Sequence, residues 1–191
     1  MALPDTAKIV FGTPLVFANS GEYSPSNAGQ PATIDADIDL GALAASSAAL
    51  RQSVKLELDA ANLDLVWEMK GYFEWHSAPT AGGILACYLS WSNDATAGED
   101  NTGGCDGTDS AYQGYGADVA SGIEALGQLD RIGSIQVTAD AALQVTVIGE
   151  FIPQGTHCCL VVDNGTDVNL ANTDAIETGV AIYPKQHQIQ D

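Results

Sequence analysis

The stretch "LDLVWEMKGYFEW", Leu63 to Trp75, alternates apolar and polar side chains along nearly its whole length. Leu63, Leu65, Trp67, Met69, Phe73 and Trp75 fall on one face of an extended chain, a period of two that a helix cannot use. Gly71 in the middle predicts a bulge or bend. The same period recurs in "TIDADIDL", where Ile34, Ala36, Ile38 and Leu40 alternate with Asp35, Asp37 and Asp39. The runs "SVKLEL", "GGILACYLSW", "SIQVT", "LQVTVIGEFI", "HCCLVVDNG" and "IETGVAIYP" are strand-like as well, and Asn164-Gly165 reads as a tight turn. Only "SGIEALGQLDRIG" suggests a turn or two of helix.

About eight strands at hairpin-like spacing predict an all-β fold, an antiparallel β-sandwich of jelly-roll type. Its expected core holds Leu56, Leu58, Leu65, Trp67, Phe73, Leu85, Val145, Val147, Leu160 and Ile182. Residues 1–33 contain four of the seven prolines. Proline lacks the backbone donor that a ladder needs, so this segment is expected to be an extended N-terminal arm preceding a single sandwich domain over 34–191. An arm that orders only against a partner must bury apolar side chains there, and Ile9, Val10, Phe11, Leu15, Val16 and Phe17 are the candidates.

Charge narrows the partners. Twenty-five acidic residues against six Lys and Arg give −19, the wrong sign for neutralising nucleic-acid phosphates or an anionic membrane. No apolar run approaches the length of a membrane span, and "MALPDTAKIVFGTPLVF" lacks the basic opening of a secretory signal, so synthesis in a cytosol is expected. The cysteines Cys87, Cys105, Cys158 and Cys159 form no CxxC pair and are expected as free thiols, with a Cys87–Cys105 bridge as the alternative. Cys158 and Cys159, adjacent in a strand, would face one into the core and one outward.

The segment "NDATAGEDNTGGCDGTD" supplies Asp94, Glu99, Asp100, Asp106 and Asp109 among glycines. These are hard oxygen ligands suited to calcium, but the D-x-[DN]-x-[DN]-G spacing is missing, so an exposed tip without an obligatory metal is expected. Catalytic patterns are equally absent. There is no G-x-S-x-G elbow, His76, His157 and His187 form no H-x-x-x-H pair, and Glu68 and Glu74 lie too far apart along a strand for a glycosidase pair. The expectation is a protein that is not an enzyme, with no cofactor and no metal. Tyr72, Tyr112 and Tyr115 offer a sugar-stacking alternative, as in carbohydrate-binding modules.

The segments "FGTPLVFANSGEYSPSN", "RQSVKLEL", "APTAGG", "CYLSWSNDATAGEDNTGG", "DSAYQGYG", "LGQLDRIGSIQVT", "CCLVVDNGTDVNL" and "AIETGVAIYP" together resemble small virion structural proteins of tailed bacteriophages. That resemblance covers most of the chain; the four cysteines depart from it. It implies a β-rich protein made in the bacterial host cytoplasm and localised to the virion. Such a late protein would bind the major capsid protein or other virion proteins, as a capsid decoration (cement) protein and as a homo-oligomer. The alternatives are a neck, tail or fibre component, or a sugar-binding module.

Overall fold

Alternating side chains in the sequence become twelve strands and one short helix in the computed structural model, which describes residues 7–26, 29–45, 49–116, 119–170 and 177–189. In chain order the strands are β1 (Ala7–Phe11), β2 (Leu15–Ala18), β3 (Ala36–Asp37), β4 (Leu50–Gln52), β5 (Leu56–Glu57), β6 (Val66–Phe73) and β7 (Ile84–Ser92). They continue as β8 (Ser110–Ala111), β9 (Asp130–Gln136), β10 (Gln144–Phe151), β11 (His157–Gly165) and β12 (Gly179–Ile189), with helix α1 at Val119–Ala125.

The first sheet runs β10-β6-β12-β2-β3, with β1 also on β12; the second runs β8-β4-β11-β7-β9, with β5 on β11. Antiparallel pairs nest inside one another: β2 with β12, β4 with β11, β6 with β10, β7 with β9. That is one long antiparallel ribbon rolled into two facing sheets, a jelly-roll β-sandwich. Between the sheets lies one core built on Trp67, Met69, Phe73, Leu85, Leu89, Leu160 and Ile182. Trp67 stacks on Phe151, with ring centroids 6.3 Å apart, and donates its indole N–H to Asn62 O at 3.0 Å.

The N-terminal arm is corrected by this topology. β2 lies inside the first sheet, between β12 and β3, and Val16 and Phe17 are buried. The prolines punctuate the strands rather than interrupt them: Pro14 precedes β2, while Pro25 and Pro31 lie in the connection to β3. A matching proline sits opposite. Pro184 in β12 has no N–H to give, and the chain there leaves the ladder between β1 and β2, with only Gly12 N bonded to Pro184 O at 2.8 Å. A Cβ at Gly12 would come within 2.7 Å of the Pro184 ring.

Two further expectations are corrected in β10. Val145 and Val147 are about half exposed, not core. A register shift between Val147 and Gly149 adds a residue, so the valines point outward before the bulge while Ile148 and Phe151 reach the core after it. The bend expected at Gly71 is thus on the neighbouring strand. Gly71 itself stays in register, and glycine is required because a Cβ would lie 2.1 Å from the Phe73 ring. Leu65 is only half-buried. Asn164 forms no tight turn; it is buried in β11, its amide donating to Ala44 O at 3.2 Å and Val168 O at 3.1 Å.

Candidate docking face and the acidic loop

The acidic loop folds around a cation that belongs to the protein. Lys55 reaches in from beyond β4, and its ammonium donates to the carbonyls of Asp94 (2.8 Å), Thr96 (2.6 Å) and Glu99 (2.8 Å) and to Ser92 Oγ (3.0 Å). Backbone oxygens that could have wrapped a metal ion wrap an amine instead. The four aspartates are engaged locally. Asp94 accepts from Thr96 N at 2.7 Å, Asp100 from Asn93 N at 3.1 Å and Asp106 from Thr108 N at 2.9 Å. Asp109 takes Arg51 at 2.7 Å and Asp39 N at 3.0 Å. Among the described residues no three His, Cys, Asp or Glu side chains converge as a metal site.

Residues 93–100 form an exposed tip, but the second half of the loop turns back onto the sheet. Gly103 and Gly104 adopt φ of 68° and 71°, and a Cβ at Gly104 would strike the Gly114 backbone at 2.6 Å. With Tyr112, Ala125 and Leu129 the returning segment covers Cys159 and Val161, a second small core on the outer side of the second sheet. Cys159 is therefore buried although it faces away from Cys158, because the loop covers what would have been the outer face. All four thiols are free and buried. Burial pushes the Cys87 and Cys158 thiols up, and a hydrogen bond with Cys159 followed by burial does the same for Cys105. None of these three carries the thiolate that nucleophilic chemistry needs.

Replacing Lys55 by Met leaves three carbonyls without their cation and is expected to cost about 1.5–3 kcal/mol, the range for hydrogen bonds to a charged group. Urea unfolding measures the loss. Amide exchange at residues 94–100 should accelerate in the same variant.

Near the same sheet, Asp163 Oδ1 is buried without a hydrogen-bond partner. Burial raises its pKa, opposed in part by Arg131. A carboxyl with a raised folded pKa binds its proton more tightly when folded, so it subtracts stability as pH rises through the interval above the ordinary value of ~3.9. Asp163→Asn is expected to raise the melting temperature at neutral pH, with the gain vanishing toward pH ~3.5, below both values. An unchanged melting temperature at neutral pH would contradict this.

The most distinctive surface is the outer face of the first sheet. Register places Val145 and Val147 of β10, Glu68, Lys70 and Tyr72 of β6, Tyr183 and Lys185 of β12, and Ile9 and Phe11 of β1 on that one side. Ile9, Phe11, Val145 and Val147 are four of the eight exposed large apolar side chains among the described residues. The Phe11 ring meets Tyr183 edge-on at 5.9 Å, and the Lys70 ammonium lies 5.1 Å from the Phe11 ring and 4.9 Å from that of Tyr183.

The charges on this face balance. Glu68 pairs with Lys185 at 2.7 Å and Lys70 at 3.2 Å, and Lys185 also pairs with Glu150. Burial works against the Glu68 carboxylate, but hydrogen bonds from Lys185 and Lys70 outweigh it and lower its pKa. Hydrogen bonds to Glu150 and Glu68 raise that of Lys185. Two ammoniums and two carboxylates make a locally neutral, apolar surface on a chain of −19.

Of the six residues expected to bind a partner, the structure leaves Ile9 and Phe11 on this face, half-buries Val10 and Leu15, and buries Val16 and Phe17. Sequence reading missed Val147 and Lys70; the sheet register puts both on the same face, and the Lys70 ammonium reaches the Phe11 ring. The sugar-stacking rings do not gather. Tyr72 is buried with its hydroxyl 2.9 Å from that of Tyr183, Tyr112 is buried, and Tyr115 alone of the three is exposed. No helix among the described residues is long and apolar enough to cross a membrane. No protein-family model matches the chain, and no curated protein matches it in sequence.

Proposed function

We propose that this chain is a non-enzymatic structural protein of a bacteriophage virion that decorates the outside of the capsid, docking through the outer face of the first sheet. The observation that carries this reading is that four exposed apolar side chains, Ile9, Phe11, Val145 and Val147, share one neutral sheet face of a strongly acidic molecule, with Phe11 against Lys70 and Tyr183. Exposed apolar side chains repeated along one face in this way mark interaction surfaces. The acidic remainder, including the Lys55-held loop, suits an exterior facing solvent and is repelled by packaged nucleic acid. Its partner is the major capsid protein or another virion protein.

The test mixes undecorated shells with wild-type protein or with Phe11→Asp and pellets the shells. Phe11 is 43% exposed, so the variant should fold. Wild-type protein is expected in the pellet and the variant in the supernatant. Equal recovery of the two removes this face from the mechanism, and failure of wild-type protein to pellet moves the reading to the neck, the tail or a glycan.

A further inference from the structure

We propose that two copies of this chain pair edge to edge through β10, joining their first sheets across a twofold axis that passes by Thr146. Sheet edges invite strand addition, and proteins blunt them with shortness, charge or cover. Here β3 and β8 are two residues long, β9 carries Asp130 and Arg131, and β1 carries Lys8. β10 alone among these runs uncharged over six residues, Gln144 to Gly149, and is paired on one side only, by β6.

The geometry leaves room there for another strand. The edges of β9 and β10 touch at Ile132–Gly133 and Ile148–Gly149, where a Cβ on Gly133 would lie 2.2 Å from Ile148 O and one on Gly149 2.3 Å from Ile132 O. Beyond that contact they part, leaving a groove of about 400 Å³ between Ser134–Thr138 and Gln144–Val147. A second groove of about 300 Å³, floored by Lys70 and Tyr72, flanks the same β10 residues on the outer face.

Two observations identify the occupant as a second copy. An antiparallel copy about this axis sets Val145 against Val147 and Thr146 against its own counterpart, β-branched and hydroxyl pairs that stabilise a cross-strand contact. The neighbouring face is neutral, so two molecules of −19 approach here with the least repulsion. An axis perpendicular to the sheet keeps both outer faces on one side. The pair then presents two docking faces to one surface, and a dimer bound at both sites dissociates far more slowly than a monomer.

Sedimentation of the purified chain alone tests this without shells, so its failure is distinguishable from failure of the docking reading. Wild-type protein is expected to sediment as a dimer at about 100 μM, a concentration at which even a micromolar association is nearly complete. Val145→Lys combined with Val147→Lys places like charges opposite one another across the axis and is expected to give a monomer. Both valines are about half exposed, so the variant should keep the wild-type melting temperature, which is measured alongside. A wild-type chain that stays monomeric overturns the proposal and leaves a foreign strand as the occupant. A lysine variant that still dimerises overturns it too. Should that variant fail to fold, Thr146→Cys, self-opposed at the axis, must form an intermolecular disulfide under mild oxidation; its absence rejects the register.

Discussion

Phe17→Ala is expected to remove about 3–5 kcal/mol of stability, and deletion of residues 1–17 to abolish cooperative unfolding altogether. Phe17 is fully buried and belongs to the main core, while its backbone pairs with Val180 on one side and Ala36 on the other. Losing its ring forfeits both transfer energy and packing, in a site that β12 and β3 prevent from collapsing. The deletion goes further, taking β1 and most of β2, so β12 loses its neighbour along that whole edge. A typical domain holds only about 5–15 kcal/mol in reserve. Urea denaturation followed by circular dichroism measures both. A truncated chain that melts like the full one would place β2 outside the core.

Trp67→Ala is expected to cost a similar ~3–5 kcal/mol. The indole is 1% exposed, stacks on Phe151, and through Phe151 supports Trp91, whose ring lies 5.8 Å from that of Phe151. Its N–H also fastens the Asn62 carbonyl, in the turn before β6, so the substitution opens a cavity and frees an acceptor together. Tyr115→Ala, at a side chain 69% exposed, serves as the control and should stay within about 0.5 kcal/mol. Equal midpoints for the two variants would show that Trp67 does not hold the two sheets together.

The architecture was legible wherever a strand keeps one buried face. Leu63 to Trp75 announced β6 through its alternation, and the main-core positions Trp67, Met69, Phe73 and Trp75 follow that period, although Glu68 and Tyr72 on the other face are buried as well. β10 defeated the same logic because a bulge changes which face is inward partway along, and nothing in "QVTVIGEF" marks where the extra residue falls. β2 was hidden by its surroundings, four residues between a proline turn and a long loop, too short for a period to show. The proposed docking face was legible only in fragments. Ile9 and Phe11 could be nominated as exposed apolar residues, whereas the contact of Phe11 with Lys70 and Tyr183, and the sharing of one face with Val147, depend on strands far apart in sequence lying side by side. The Lys55 cage has no signal in the chain at all, since its acceptors are backbone carbonyls, which every residue carries.

The nested pairing also sets a timetable. β2 precedes its partner β12 by nine intervening strands, so Phe17 waits until all of them have been made before Val180 exists to pair with it. A ribbon of this kind closes from the inside, where β7 and β9 are nearest in sequence, toward the outside, where the loop-closure entropy is greatest. During synthesis Val16 and Phe17 therefore remain uncovered until β12 is made, on a segment able to pair with the wrong strand of a neighbouring nascent chain. The large negative charge acts in that interval as well: chains that repel one another have time to find their own last strand before they find each other's.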